Sequence, residues 1–240
     1  MQYSSPRQLE IVPLGDSAII VRVVDDFESD PDTALNAVRG TLRALELAAI
    51  PGVIELAPAY TTIGVFFDPS GVAGPSPFES LRGTIENVLS VSTLQNEMEI
   101  ETPAIEVPVC YDQEFGVDLR EVASASGLAE DEVVRRHASA AYRVNCVGFT
   151  PGFPYLSGLP PELATPRRAI PRKEVPAGSV AIGGAQTGIY PSKSPGGWNI
   201  IGRTPLRLFD IQREPPALLH AGDHVRFRKI SREEFNSLCR

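Results

Sequence analysis

Four cations, Arg167, Arg168, Arg172 and Lys173, fall within seven residues of a chain whose formal net charge is −8. Arginine's planar fork pairs bidentately with carboxylate or phosphate. The run therefore reads as an anion site, with Arg167 and Arg172 turned inward by the flanking Pro166 and Pro171. Two other readings fit the same residues: a solvated loop, or arginines that pin neighbouring loops through backbone carbonyls. Downstream, Gln186, Thr187, Tyr190 and Ser194 offer hydrogen bonds to a polar ligand, while Phe153, Tyr155 and Trp198 either wall a pocket or pack as core.

Other chemistries find little support in these residues. The chain has no G-x-S-x-G elbow, no Walker A loop and no Gly-Lys pair at all. GGAQTG at Gly183–Gly188 resembles a phosphate loop, but it lacks dinucleotide-binding spacing and leads into another strand-like segment; it reads as a strand-to-strand turn. His220 and His224 have a spacing that binds metal on a helix, yet Ala221-Gly222-Asp223 between them reads as a turn, so no metal site is expected. His137 lies on a predicted helix beside Arg135 and Arg136 and reads, from these residues alone, as packed or solvated. The acidic balance argues against a general nucleic-acid or anionic-membrane binder. Three widely spaced cysteines, Cys110, Cys146 and Cys239, fit reduced thiols in a cytoplasmic protein. The apolar run Ala18 to Val24 is interrupted by Arg22 and is too short for a signal sequence or a membrane span.

The elements that must position these groups are legible in outline. Leu9–Leu14 and Ser17–Val24 read as strands joined at Gly15-Asp16, and Asp30-Pro31 opens a helix through Leu35, Val38, Leu42 and Leu45. Val53–Pro58 and Thr61–Phe67 form a second strand pair, and Pro77–Val91 a second helix with Phe78, Leu81, Ile85, Val88 and Leu89 as its stripe. That order predicts a small α/β sandwich domain over residues 1–96 with both helices on one face of a sheet. Leu94–Pro103 reads as a linker, and residues 102–240 as the second domain. There a strand at Ala104–Cys110 precedes helices at Asp118–Ala125 and Glu130–Ala140 and a strand at Ala141–Gly148. Beyond it only short strands are expected, at Ser179–Ile182, Thr187–Tyr190, Trp198–Gly202, Leu206–Phe209 and His224–Ile230, the pattern of a β-barrel or sandwich. Ser231–Leu238 reads as a terminal helix.

The blocks GFTPGFPYLSGL, ATPRRAIPR, VPAGSVAIGGAQTGIYP and SPGGWNIIGRTP resemble the signature blocks of the allophanate hydrolase subunit 1 family. LGDSAIIV, PGVIELAPAYTTIGVFFDP and VPVCYDQEFGVDLREVA resemble its N-terminal blocks, so the similarity spans nearly the whole chain. Ser157 departs from the glycine of the resembling block, and Asn145-Cys146 from a bulkier apolar pair. The resemblance implies an α+β N-terminal domain followed by a mainly-β, cyclophilin-like barrel. It also implies a subunit of an ATP-dependent enzyme that opens the lactam of 5-oxoproline to L-glutamate. Its partners would be a related second barrel subunit (allophanate hydrolase subunit 2 type) and a third subunit, with ATP held by a partner or at an interface. Within that reading Arg167 and Arg172 bind the substrate carboxylate, Gln186, Thr187 and Tyr190 make polar contacts, and Phe153 and Trp198 form walls. The resembling pattern also carries a histidine at position 137, which makes His137 an acid–base candidate. The same family includes Kip inhibitor-like regulators of sensor histidine kinases and a piece of urea carboxylase, which stand as alternatives.

Overall fold

The computed structural model describes residues 10–27, 29–91 and 103–239. The chain divides into two compact units, Met1–Glu101 and Thr102–Arg240. The stretch expected as a linker lies outside the described residues apart from Pro103, as does Leu9 at the start of the first expected strand.

In the first unit, strands β1 (Glu10–Pro13) and β2 (Ala18–Arg22) precede helix α1 (Pro31–Ala48). Strands β3 (Val53–Pro58) and β4 (Thr62–Phe67) then precede helix α2 (Pro77–Val91). The sheet order is β1-β2-β4-β3, antiparallel throughout. Asp30 starts α1 by accepting the Thr33 amide at 3.1 Å, with Pro31 in the first turn, where its missing N–H costs nothing. Alternate residues Ile19 and Val21 of β2 and Ile63, Val65 and Phe67 of β4 point to one face. Val38 and Leu45 of α1 and Leu81 and Ile85 of α2 close over that face as one core.

The second unit begins with β5 (Ile105–Val109), helices α3 (Leu119–Ser126) and α4 (Glu130–Ser139), and β6 (Tyr142–Val147). It continues through β7 (Pro154–Ser157), β8 (Arg172–Val175), β9 (Ser179–Gly183), β10 (Gln186–Ile189), β11 (Ser194–Gly196), β12 (Asn199–Arg203) and β13 (His224–Lys229). Helix α5 (Arg232–Leu238) ends it, with Ser231 accepting the Glu234 amide at its N-terminus. Seven strands form one sheet in the order β12-β9-β10-β7-β6-β13-β5, while β8 and β11 pair as a separate ribbon. The pair β13–β5 is parallel and the other pairs of that sheet are antiparallel. The two edge strands meet: Cys110, just past β5, exchanges both backbone hydrogen bonds with Arg203 of β12, each 2.9 Å. That bridge nearly closes the sheet into a barrel and removes the exposed edge an open sheet would carry. Val107, Val144, Leu156, Val180, Ile182, Ile189, Ile201 and Phe227 fill the interior, joined by Leu119 and Val122 of α3 and Val133 and Val134 of α4.

One expected strand is corrected. Leu206–Phe209 forms none; Phe209 makes only an isolated bridge to Ala217. The Arg213 guanidinium instead donates to the carbonyls of Arg207, Leu208, Pro215 and Pro216, doing for this loop what a neighbouring strand's amides would do. Strands β7, β8 and β11 are not expected from the sequence: β7 and β11 carry Pro154 and Pro195, which read as loop, and Arg172–Val175 of β8 has no alternating apolar pattern.

Candidate functional site

Side-chain alternation along β9 sends Val180 and Ile182 into the barrel and Ala181 to the opposite face. On that outer face Ala181 meets Phe153, Val175, Tyr190, Trp198 and Ile200, with Tyr155 packed alongside. The rings meet edge to face: Phe153 lies 5.1 Å from Tyr190 and 5.6 Å from Trp198, and Tyr155 lies 5.9 Å from Trp198. Glycine makes the approach possible. A Cβ on Gly183 would stand 2.5 Å from the Trp198 ring, and one on Gly196 would stand 2.3 Å from the Tyr190 hydroxyl. The glycine density of these blocks thus has a steric cause, and GGAQTG is the β9–β10 hairpin turn. At the rim the exposed Arg167 guanidinium sits 5.7 Å from the Trp198 ring centroid. Burial pushes the Tyr190 phenol up, against a backbone hydrogen bond at Trp198 and the charges of Arg167 and Arg172. Tyr155 is also pushed up, by burial first and then by Cys146, with Arg167 opposing. Phe149 stands exposed at the same rim, its backbone at a φ of 69° and its ring 5.7 Å from Phe153. Such a conformation strains any residue other than glycine.

The organising group of the arginine run is one that sequence reasoning missed. Asp118 is 1% exposed. It occupies the N-cap position of α3 but makes no capping hydrogen bond. Its Oδ2 accepts from the Ile200 amide at 2.7 Å and from Arg172 Nη1 at 2.8 Å. Its Oδ1 accepts from Arg172 Nη2 at 2.6 Å and from Arg168 Nη1 at 2.8 Å. The Asp118 amide in turn donates to the Ile200 carbonyl at 2.8 Å. One buried carboxylate therefore ties α3, the β8 ribbon and β12 together and answers two guanidinium charges with one negative charge. A buried carboxylate is tolerable only when it is paired and hydrogen-bonded in this way.

His137 faces the other side of the sheet, fully enclosed in the barrel. The Thr187 hydroxyl donates to the Ala181 carbonyl at 3.0 Å, so it accepts from His137 Nε2–H at 3.0 Å, leaving Nδ1 to accept the Tyr111 hydroxyl at 2.9 Å. Phe227 stacks on the imidazole at 4.6 Å, and the Tyr142 hydroxyl donates to the His137 carbonyl at 2.8 Å. Burial pushes the imidazole down to about 3, so it is neutral.

The structure therefore brings Arg167, Arg172, Tyr190, Phe153 and Trp198 together and separates His137 and Thr187 from them. His137, expected as an acid–base group, and Thr187, expected as a ligand contact, lie instead in the closed interior, hydrogen-bonded to each other. Gln186 is half-buried at the hairpin turn. Arg172 has both terminal nitrogens on Asp118, so it is a pinned arginine before it is a free anion receptor. Asp118 carried no signal beyond an N-cap residue before an apolar stripe, because its partners lie 50 to 82 residues away. The His220 amide donates to Asp223 at 2.7 Å, and among the described residues no group of three or more His, Cys, Asp or Glu side chains is placed to hold a metal ion.

The second unit is thus a nearly closed barrel with an aromatic outer wall and an arginine at its rim, in a chain that also carries a four-stranded unit. The chain belongs to the family described as carboxyltransferase domain, subdomain C and D, whose profile matches residues 9–219. It is 41% identical over 236 residues to the B subunit of 5-oxoprolinase from Bacillus subtilis (strain 168), covering 95% of each chain. It is 42% identical over 215 residues to the B subunit of 5-oxoprolinase from Escherichia coli O157:H7, covering 89% of this chain and 93% of that one. Among solved structures, TTHA0988 superposes with a TM-score of 0.73 at 35% identity over 89% of this chain. This chain spans about 40% of the TTHA0988 chain.

Proposed function

We propose that this chain is the B subunit of a 5-oxoprolinase, a component of a multi-subunit enzyme that opens the lactam of 5-oxoproline to L-glutamate at the expense of ATP. The observation that carries the reading is near full-length identity of 41% and 42% to two proteins of that name. Such a name implies further subunits; we assign as partners a second barrel subunit of the allophanate hydrolase subunit 2 type and a third 5-oxoprolinase subunit. We read the barrel as cyclophilin-like, residues 1–96 and 102–240 as the two domains, and the protein as cytoplasmic, consistent with three cysteines that form no disulfide.

The site chemistry suits the substrate. A lactam is a resonance-stabilised amide, and its ring carries a carboxylate that a cationic rim can anchor while aromatic walls hold the ring edge. Holding the carboxylate by arginine orients the scissile C–N bond without consuming the group that reacts. Arg167, with Arg172 behind it, supplies the positive field; Phe153 and Trp198 supply the wall; Tyr190 and Gln186 supply polar contacts. The Tyr190 phenol, protonated near neutrality as any tyrosine is and pushed further up by burial, can act as a hydrogen-bond donor. For ATP the fit is poor. The stretch most like a phosphate loop is a β-hairpin turn with Gly183 packed on the Trp198 ring. We therefore assign ATP, which supplies the driving force when bound, to a partner subunit or an interface.

The test is 5-oxoproline-dependent ATP hydrolysis and glutamate formation by this chain alone and mixed with its two presumed partners. Turnover in the full mixture only is the expected result. A stable complex that hydrolyses no 5-oxoproline overturns the reading.

A further inference from the structure

We propose that Asp118 is the positioning residue of the anion site, and that Arg168 is the arginine whose partly exposed guanidinium receives the ligand carboxylate. The proposal rests on the reading of this face as a carboxylate site and specifies which groups perform it.

The argument is an inventory of donors. Arg172 commits Nη1 and Nη2 to Asp118, both oxygens of the carboxylate in a fork-to-fork pair. Arg168 commits only Nη1. Its Nε is buried with no partner among the described residues, and its side chain is 34% exposed. Asp118 has four hydrogen bonds, which fills the acceptor capacity of a carboxylate, so it has nothing left to offer Arg168. One negative charge facing two guanidinium groups leaves a surplus positive charge, and that surplus lies on the less committed arginine. The Arg168 amide donates to the Gly197 carbonyl at 2.7 Å, which fixes its backbone next to Trp198. The Arg168 backbone thus lies beside the segment that carries Trp198, with its guanidinium held from one end by Asp118.

The placement of Asp118 supports a role beyond local stability. An aspartate at an N-cap normally accepts an amide of its own helix. Here that bond is not made, and the carboxylate reaches across to β12 and the arginine run. Gly116 lets the preceding loop lie against β12: a Cβ there would stand 2.5 Å from the Ile201 carbonyl oxygen. The loop and helix start are built so that a buried anion can orient two guanidinium groups before a ligand arrives, which lowers the ordering cost of binding.

The test compares two substrates in the assembled complex: 5-oxoproline, and 2-pyrrolidinone, the same lactam without the carboxylate. Arg168→Gln is expected to raise KM for 5-oxoproline roughly tenfold or more, the range for a hydrogen bond to a charged group, with kcat little changed. It should leave 2-pyrrolidinone kinetics unaltered, erasing the preference for the carboxylated lactam; Arg168→Lys should restore part of it. Asp118→Asn should lose the same preference through misplacement of both arginines. Because Asp118→Asn could also unfold, the partly exposed Arg168 variants decide. An unchanged preference in Arg168→Gln overturns the proposal. If the wild-type complex turns over no 5-oxoproline, the functional reading fails, and the site is judged separately on the full chain. Trp198 is its single tryptophan, so acetate is titrated against its fluorescence. Quenching in wild type that is lost in Arg168→Gln supports the site; equal quenching, or none in wild type, overturns it.

Discussion

The His137 environment makes a prediction that can be worked through to a number. In the unfolded chain the imidazole protonates near its ordinary 6.5, whereas burial holds it near 3 in the folded state. The unfolded state therefore binds the extra proton between these values, and stability falls as pH falls through that window. Above about pH 6.5 the neutral histidine contributes fully; each pH unit below removes about 1.4 kcal/mol until the folded value is reached. At about pH 5 the loss is about 2 kcal/mol, and near pH 3 it approaches about 5 kcal/mol, a large share of the ~5–15 kcal/mol of a typical domain. Carboxylates such as Glu132, held at about 2 by Arg135 and Arg136, also lose stabilisation as pH falls below their unfolded value of about 4.5, so wild type alone does not isolate the effect. The informative comparison is His137→Gln, which keeps a polar side chain in place of the imidazole but cannot take up a proton. It is expected to be less stable than wild type near neutrality, because the bonds to Tyr111 and Thr187 are imperfectly replaced. Between about pH 7.5 and 5 it should then lose about 2 kcal/mol less than wild type, so the two stability curves converge. Urea unfolding at several pH values measures this directly, and imidazole shifts in NMR report the folded protonation state. Parallel stability curves, or an imidazole that titrates near 6.5 in the folded chain, would refute the reasoning.

Three further outcomes are expected. Gly183→Ala places a methyl 2.5 Å from the indole and should cost about 1–3 kcal/mol while shifting Trp198 emission; an unchanged midpoint and spectrum would mean the wall has slack. Ser157 donates to Asn145 Oδ1 at 3.0 Å, so the two positions that depart from the resembling blocks are partners. A double-mutant cycle of Ser157→Gly and Asn145→Val should therefore show a coupling of about 1 kcal/mol, and additive effects would deny the link. Reconstitution with partner subunits should give 5-oxoproline-dependent ATP hydrolysis that the isolated chain lacks.

What could be read without coordinates follows the range of the forces involved. Helices α1 and α2 announce themselves because Asp30-Pro31 and the 3.6-residue spacing of Leu35, Val38, Leu42 and Leu45 act within a few residues. The strand pair Val53–Pro58 and Thr62–Phe67 is likewise local, joined by a short turn. The aromatic and glycine blocks fall together on one outer face of the barrel, where Gly183 and Gly196 admit Trp198 and Tyr190. Strands β8 and β11 could not be read, because Arg172–Val175 and Ser194–Gly196 carry no alternating apolar pattern and their pairing is set by a distant partner.

The division is sharpest at the arginine run. Its composition announced positive charge, but left open whether the guanidiniums meet solvent, carbonyls or an anion. Only the fold brings Asp118, 54 residues from Arg172, into the barrel wall to take both of its terminal nitrogens. The same holds for His137: its type allowed acid–base chemistry, while its direction, set by which face of α4 meets the barrel, made it a neutral core residue. The sequence by itself determined which residues could bear charge, bend sharply or pack as rings, because those are properties of single side chains and near neighbours. The tertiary structure decided which of them share a low-dielectric space, because burial and long-range pairing exist only once the chain has closed on itself.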